Sequence, residues 1–272
     1  MESGRLLFSI PVHEQPKVVR DQIDNVLKFN PGSVIVLHIS QSFSALQLAT
    51  SRLMRESKNV FVNPERFDTS KQGLFPIHFS NYRYARNKAD FSHFVIHSSN
   101  DMYVRSGLAS YLGEVDAAVR PMPAEGWTHA PVARQHAWLQ DAITRLGMSF
   151  LASTPEGTAY SKAVLSKVDE FVGKDYKKPE IPYPDEETIL PLLASKFAER
   201  IVNPTTFSEV TMAERPAAEL IEHIRLGKFR PEPRGFYNGE DLKVPYDEVF
   251  SVKRVARKFE DPLRTFIRGL EP

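Results

Sequence analysis

The chain has 272 residues, enough to bury a sizeable core, and its 42% hydrophobic and 25% charged content is ordinary for a soluble globular protein. The net charge of +1 gives no overall field that would attract nucleic acid, and we expect no nucleic-acid partner. Cysteine is absent, which excludes a disulfide-built scaffold, a thiol nucleophile and Cys-ligated zinc. No signal peptide and no apolar run of about 20 residues is present, so we expect a cytoplasmic protein, with association at the inner membrane face left open.

The N-terminal part alternates strand and helix. Residues 5–12 predict a buried strand, Pro16 begins a helix that ends at residues 30–32, and residues 33–39 predict a second apolar strand. A strand, a helix and a strand within about 35 residues form a parallel βαβ unit. A further helix is predicted at 45–56 and further strands at 59–63 and 91–97. The pattern predicts an α/β fold with a mostly parallel central sheet flanked by helices.

The C-terminal half is mixed. The pattern predicts a loop at 120–131, a helix at 132–146, a strand at 148–153, a helix at 161–172, a lid-like connection at 174–184, an acidic-headed helix at 185–200, short helices and turns at 203–243 and a basic helical segment near the end. We interpret the whole chain as one domain. Its parts are an N-terminal half at 1–105, a second half at 106–248 and the basic segment at 249–272.

Ligands of open α/β sheets bind beyond the carboxyl ends of parallel strands. Here those ends carry polar residues, and the predicted donor-binding set at them is Val12, His13, Ser40, Asn100 and Asp101. His13 and His38 end neighbouring strands, where each either contacts a nucleotide base or phosphate or is satisfied by backbone groups.

Metal chemistry has little support in the sequence. His93 and His97 lie four residues apart, but in a strand this separates them by about 13 Å, so they cannot share an ion. No Asp-x-Asp pair follows a strand, and neither a dinucleotide fingerprint, a P-loop nor a Gly-x-Ser-x-Gly elbow is present. We therefore expect no essential metal.

Residues 183–193, YPDEETILPLL, place Asp185, Glu186 and Glu187 together before an apolar run. Carboxylates in the first turn of a helix face its positive end, which keeps them ionised. Two interpretations stay open: one of them is a general base, or all are ordinary helix caps.

Two further segments have alternative interpretations. Residues 251–270 are rich in Lys and Arg, and they either stabilise a diphosphate leaving group or form a solvated helix face. Trp127 lies in a loop with Pro and Gly, where it either stacks on a sugar or packs on the core.

Several segments, in order along the chain, resemble the core-2/I-branching β-1,6-N-acetylglucosaminyltransferases and the peptide O-xylosyltransferases. The first strand ends in Val12-His13 as theirs ends in Val-His, and PEGTAY at 155–160 is similar to their Gly-Ser-Ala-Tyr stretch. YPDEETILPLL resembles their Ser-Pro-Asp-Glu-x-Leu-Trp-Ala-Thr-Ile pattern, and ARKFED at 256–261 resembles their Lys-Phe-Asp segment. Ser40 stands where the family has aspartate, and the family's membrane anchor and cysteines are missing.

The resemblance implies a GT-A fold and an inverting, metal-independent sugar transfer from a nucleotide sugar, UDP-linked in this family, to a carbohydrate hydroxyl. It implies a bacterial relative that acts in polysaccharide biosynthesis, with a nucleotide-sugar-binding half at 1–105 and an acceptor and catalytic half at 106–248. By position it makes Glu187 the base, with Glu186 as the alternative, and Lys258 the diphosphate ligand, helped by Lys253 and Arg254. The implied acceptor-binding residues are Trp127, Glu156, Gly157, Thr158 and Tyr160. A sugar-nucleotide hydrolase and a non-catalytic sugar- or nucleotide-binding protein remain as rivals.

Overall fold

The computed structural model describes residues 4–43, 52, 57–69, 73–208, 217–229, 234–237, 240–242 and 247–272. The strands are β1 Leu6–Val12, β2 Val34–Ile39, β3 Val60–Val62, β4 His93–Ile96, β5 Met102–Tyr103, β6 Ala117–Ala118, β7 Met122–Pro123, β8 Leu151–Ala152, β9 Ala159–Ser161, β10 Ile201–Val202, β11 Thr206–Phe207, β12 Arg234–Tyr237, β13 Glu240–Leu242 and β14 Ser251–Val252. The α-helices are α1 Pro16–Phe29, α2 Phe75–Ala85, α3 Leu108–Leu112, α4 Ala130–Ala133, α5 Ala137–Leu146, α6 Lys162–Val172, α7 Ile189–Phe197, α8 Ala217–Leu226 and α9 Pro262–Arg268; a 3₁₀ turn spans Asp185–Glu187.

Seven strands form the central sheet in the order β10-β6-β9-β4-β1-β2-β3. β4, β1, β2 and β3 are mutually parallel, while β9 runs antiparallel to both β4 and β6. Every residue of β1 and β2 is buried, which explains their nearly continuous apolar sequences. The predicted α/β class with a mostly parallel central sheet is confirmed.

Each face of the sheet carries its own apolar core. On one face α1 and α3 pack through residues such as Ile23 and Leu108. On the other face α2, α5, α6 and α7 pack through residues such as Phe79, Leu165 and Leu192. The sheet is therefore covered on both sides, and the strand ends remain as its accessible edge. Within the described residues, no helix has the length and apolar character needed to cross a bilayer.

A second, three-stranded sheet has the order β11-β14-β5. It packs against α8 and α9 through Met102, Phe207, Leu220 and Ile267. Because β5 follows closely after β4, this small sheet brings β14, from the end of the chain, beside the strand ends of the central sheet.

Most predicted elements of the N-terminal part are confirmed to within one or two residues: β1, α1, β2, β3 and β4, and later α6. The helix predicted at 45–56 lies outside the described residues except for position 52. Helix α2 was not predicted, because its buried residues include His78, Ser80 and Asn81 and its apolar face is correspondingly indistinct.

Two predicted helices are wrong in extent. The helix at 132–146 is divided into α4 and α5, with the break at residues 134–136. The basic helix is absent before Pro262, because residues 251–252 pair with β5 and β11 instead. The backbone then turns at Arg254, whose φ of 67° is the left-handed conformation that a non-glycine residue rarely adopts. A helix does begin at Pro262, with the Asp261 side chain as its N-cap.

Candidate active site

Four chain segments converge at one edge of the central sheet. β1 continues into Glu14, and β4 continues into Ser98 and Ser99. β9 is antiparallel to β4, so the residues before it, including Glu156, reach the same edge. β14 leads directly into Lys253. The result is a compact group of ionisable side chains where the fold leaves its strand ends accessible.

Lys253 lies among carboxylates. Its Nζ forms an ion pair with Glu156 Oε1, and both side chains are only 13% exposed. The same Nζ is 3.4 Å from Ser98 Oγ. Burial opposes the charge on Lys253, but the carboxylates of Glu156 and Asp101 outweigh it and raise the pKa of the ammonium. Lys253 is therefore a permanent positive charge within this site.

Arg257 supplies a second cation. Its Nε lies 2.9 Å from Glu14 Oε1 and 3.3 Å from Ser99 Oγ. Glu14 is almost completely buried, and it also accepts a hydrogen bond from the backbone N–H of His13 at 3.0 Å and from the Ser99 hydroxyl. A fixed carboxylate thus holds the guanidinium in place, although the Arg257 side chain itself is 44% exposed.

Glu187 ends the 3₁₀ turn and faces the Lys253 cluster. Trp127 Nε1 donates a hydrogen bond to its Oε2 at 3.0 Å. Burial raises the pKa of Glu187 to about 8, and the charge of Glu156 adds to this, while Trp127 and Lys253 act in the opposite direction. The expectation that a helix start keeps this carboxylate ionised is corrected: desolvation outweighs the backbone dipole.

Asp185 and Glu186 cap a different helix from the one that follows them. Asp185 Oδ1 accepts the backbone N–H of Phe75, and Glu186 Oε2 accepts that of Leu74, both at 2.9 Å, at the N-terminus of α2. Tyr176 also donates its hydroxyl to Asp185 Oδ2 at 2.7 Å. Burial raises the pKa of both carboxyl groups. The side chains of Asp185 and Glu186 are therefore used in capping α2, and Glu187 is the acidic residue of this turn that interacts with the site.

Asp101 and Asn100 lie beside the cluster. Asp101 is fully buried, and its Oδ2 accepts the backbone N–H of Ser98 at 2.9 Å, while Oδ1 has no hydrogen-bond partner. Burial raises the pKa of Asp101 to about 6, against the pull of Lys253. The carbonyl of Asn100 accepts the N–H of Val255 at 2.9 Å, which ties the segment after β14 to the end of β4.

The remaining predicted donor-binding residues differ in accessibility. His13 is accessible, because its side chain is 37% exposed, although its Nδ1 atom is buried and has no hydrogen-bond partner. The side chains of Val12 and Ser40 are buried, and Ser40 Oγ accepts the N–H of Thr69 at 3.1 Å. For His38 the structure supports the second interpretation, in which backbone groups satisfy the imidazole: the residue is buried, and its Nε2 accepts the N–H of Phe67 at 2.9 Å.

The predicted acceptor-binding set is only partly at the site. Glu156 is there, whereas the side chains of Thr158, Tyr160 and Trp127 are buried in the core and present no exposed surface for a sugar. Gly157 has a φ of +71°, and a Cβ there would come within 2.2 Å of Thr206 N. This glycine permits close packing of two segments.

Lys258 and Arg254 do not join the cluster. Both are exposed, and Lys258 lines a surface cavity beyond Arg257, with Phe259. Lys253, and not Lys258, lies among the carboxylates, because residues 253–261 are not helical and the side chains that face the site differ from those a helix would present. The sequence analysis also missed Glu14 and Arg257. The available signals were an acidic residue directly after Val-His at a strand end and the basic run that contains Arg257.

The described residues provide no set of ligands for a metal ion. Within the described residues, no group of three or more His, Asp or Glu side chains has a geometry that could hold an ion.

A cavity of about 600 Å³ lies elsewhere, beside α2, with Phe67 and Phe79 in its wall. Lys178 and Arg83 already lie over these two rings, at 4.6 and 4.4 Å from the ring centres, so we assign that cavity no ligand.

Comparison with protein-family models and with curated protein sequences finds no match. Among solved structures, the mannosyltransferase PcManGT from Pyrobaculum calidifontis, in complex with GDP-Man and Mn2+, is 14% identical over 75% of this chain and 55% of its own, with a TM-score of 0.44. S. aureus TarS is 16% identical over 72% of this chain and 34% of its own, with a TM-score of 0.43. The galactosyltransferase LgtC, in complex with donor and acceptor sugar analogs, is 10% identical over 92% of this chain and 87% of its own, with a TM-score of 0.43.

The chain thus spans about half the length of the mannosyltransferase and about a third of TarS. At these identities and TM-scores the likenesses carry no functional argument. The function of this protein is therefore inferred from the side chains at the sheet edge.

Proposed function

We propose that this protein is a glycosyltransferase that moves a sugar from a nucleotide-sugar donor to a hydroxyl of a glycan or glycoconjugate, with inversion at the anomeric carbon. The observation that carries the proposal is that Glu187 interacts electrostatically with both members of the Lys253–Glu156 ion pair. A metal-free displacement of a diphosphate needs at least a carboxylate that can accept a proton and a fixed cation near the leaving group.

The donor would lie across the strand ends. His13 is accessible beside β2 and is adjacent to Glu14, which holds Arg257. The nucleoside would therefore contact the His13 side, and the diphosphate would take the positive charges of Arg257 and Lys253. Both cations have carboxylate partners in the free protein, so diphosphate oxygens would compete with Glu14 and Glu156 for them.

The proposed reaction is a single displacement. Glu187 takes the proton of the acceptor hydroxyl as its oxygen forms a bond to the anomeric carbon. The bond between that carbon and the phosphate oxygen breaks on the opposite face, and its electron pair leaves with the nucleoside diphosphate. Lys253 and Arg257 stabilise the charge that develops on the leaving group. Attack from the face opposite the leaving group inverts the anomeric configuration.

The raised pKa of Glu187 has a direct consequence for this scheme. At pH 7 most molecules carry the proton, and the ionised fraction that acts as the base grows as the pH approaches 8. A base with a high pKa is also intrinsically stronger, so a smaller population acts more effectively.

Metal independence is part of the proposal. Lys253 places an ammonium among the carboxylates of Asp101, Glu156 and Glu187, a position that would otherwise call for a divalent cation. Transfer should therefore persist in EDTA, and loss of transfer on chelation, with recovery on adding Mg²⁺ or Mn²⁺, would contradict the scheme.

The donor can be found first by binding. A nucleotide sugar that binds only the native state raises the melting temperature as its concentration exceeds its Kd. UDP-linked N-acetylglucosamine and xylose, which the family resemblance implies, are the first donors to test, followed by GDP- and CDP-linked sugars.

The proposal is then tested with Glu187→Gln. This variant keeps the shape of the side chain and removes the base, and transfer should fall on the order of 10²–10⁴-fold while donor binding persists. Glu170→Gln is a matched control, because Glu170 is an exposed residue of α6. Near-normal transfer by a folded Glu187→Gln protein would overturn the assignment.

Hydrolysis of the nucleotide sugar is the second candidate, and the protonated state of Glu187 favours it. A neutral carboxyl group at pH 7 can donate its proton to the leaving oxygen, with water in place of the acceptor. Product analysis separates the two reactions. A glycosyltransferase yields a new glycoside only when an acceptor is present, whereas a hydrolase releases free sugar at the same rate with or without one.

A further inference from the structure

A groove of about 590 Å³ lies between α1 and α9, away from the Glu187 site. Lys17, Lys28 and Arg268 are among its lining residues, and Phe259 and Ile267 give it an apolar part. None of these side chains has a part in the proposed sugar transfer.

Helix α1 presents a stripe of charged residues to this groove. Lys17, Arg20, Asp24 and Lys28 follow one another at spacings of three and four residues, so they share one face of the helix. Asp24 pairs with Arg20 at 2.9 Å. No carboxylate pairs with Lys17 or Lys28 among the described residues, and Lys28 Nζ donates to the backbone carbonyl of Arg268 at 3.1 Å.

The acidic residue at the back of the groove is already neutralised. Asp21 is buried and lies 2.7 Å from Arg264 Nη1 and 3.4 Å from Arg268 Nη1. Arg264 is fully buried, and its Nη2 has no hydrogen-bond partner. Four cations and two carboxylates thus line this groove, a surplus of two positive charges in a chain whose net charge is only +1.

Phe259 combines this charge with apolar surface. Lys17 Nζ lies 5.8 Å and Arg268 Cζ 4.2 Å from the centre of its ring. An aromatic ring flanked by cations on flexible stems suits the boundary between lipid headgroups and acyl chains, where the cations meet phosphates and the ring meets hydrocarbon. A soluble anion would gain nothing from the apolar part of the groove, and the net charge of +1 gives the chain no extended positive field for nucleic acid.

We propose that the groove between α1 and α9 docks the protein on an anionic phospholipid surface. Each lysine or arginine close to such a surface adds a favourable electrostatic contribution that weakens as salt is added. The proposal does not depend on sugar transfer, so the two can fail separately.

Co-sedimentation with phosphatidylcholine vesicles, with and without phosphatidylglycerol, tests the proposal. The wild-type protein should bind only the vesicles that contain phosphatidylglycerol and should be released by added sodium chloride. The double variant Lys17→Glu and Lys28→Glu should lower this partitioning by roughly tenfold or more. Its response to nucleotide sugars should stay unchanged, since neither lysine touches the Glu187 site, and its thermal unfolding should fall only slightly, through loss of the contacts with Arg268 and Phe259.

The matched control is the double variant Lys167→Glu and Lys174→Glu. Both residues are exposed, at α6 and just after it, and α6 packs on the opposite face of the central sheet from α1. The control changes the net charge equally and should bind vesicles like the wild type. Equal loss in both variants would reduce the effect to net charge and overturn the proposal. Equal wild-type binding to neutral vesicles would also overturn it, as would binding to duplex DNA without binding to vesicles.

Discussion

The acidic turn at 185–187 and the basic segment at 253–258 are the two densest groups of like charge near the proposed site, and the fold divides both of them. In the acidic turn, Asp185 and Glu186 accept backbone N–H groups of α2, while Glu187 faces the site. In the basic segment, Lys253 is buried among carboxylates, whereas Lys258 is exposed. Neighbours with the same charge therefore have different roles, and the environment of each side chain decides which residue can act.

The largest expected effect contrasts the two lysines. Lys253→Met removes the buried cation beside the leaving diphosphate, and we expect kcat to fall by about 10²–10³, the range for loss of one electrostatic contact in a transition state. Lys258→Met should change kcat less than about twofold, because its side chain is exposed and separate from the cluster. Steady-state kinetics with the identified donor measures both. The reverse ranking would return the role to Lys258 and break the comparison.

The pH dependence sharpens the role of Glu187. Below its pKa of about 8, kcat/KM should rise about tenfold per pH unit, because only the ionised form accepts a proton. The nearby charge of Glu156 contributes to the high pKa, so Glu156→Gln should shift this limb of the pH profile to lower pH. A profile that stays flat between pH 6 and 9, values chosen to bracket the pKa of about 8, would exclude Glu187 as the base.

The capping residues are expected to affect stability. Glu186→Ala removes the acceptor for the backbone N–H of Leu74, at a cost of about 1–2 kcal/mol in the free energy of unfolding. Glu186→Gln retains an acceptor oxygen and should recover most of that loss. Urea denaturation measures both variants, with Glu180→Ala, an exposed residue of the preceding connection, as the control. If Glu186→Gln abolished transfer in a stable protein, Glu186 and not Glu187 would be the base.

Glu187 should itself destabilise the fold at alkaline pH. Its folded-state pKa of about 8 exceeds the ordinary value of 4.5, so the native state binds more protons than the unfolded chain between these values. The stabilising contribution of the Glu187 carboxyl group to the free energy of unfolding is complete below about pH 4.5 and is lost as the pH rises to about 8. Glu187→Gln does not titrate, so its advantage over the wild type should grow across this window to a few kcal/mol at most.

Melting temperatures of wild type and Glu187→Gln at pH 5 and pH 8.5, values on either side of the shifted pKa, measure that difference. The variant should be the more stable protein at the higher pH, and the two should converge at the lower pH. An equal difference at both values would mean that the carboxyl group titrates normally and lies in a more polar environment than the structure indicates.

How much could be predicted differs between the sheet and the site. Continuous apolar runs identified β1 and β2, and the helical spacing of Val19, Ile23 and Val26 identified α1, because burial on both faces of a parallel sheet leaves a strong pattern. α2 left no comparable pattern, since His78 and Asn81 are among its buried residues. The Pro- and Gly-rich composition around Trp127 predicted a loop, which left the burial of its side chain undecided. Trp127 is buried and donates a hydrogen bond to Glu187, a residue 60 positions away in the chain.

By itself, the sequence determined the α/β class, the strand ends as the site of polar residues, and the two clusters of like charge from which the acting residues come. Local composition and periodicity are enough for these, because they record burial one element at a time. The family resemblance favoured Glu187 over Glu186 but Lys258 over Lys253, and only the tertiary structure brings Glu187 and Lys253 into charge interaction. That choice depends on the N-terminus of α2, on the turn at Arg254 and on the pairing of β14 with β5. Each of these joins segments remote in the chain, and no local pattern encodes such contacts.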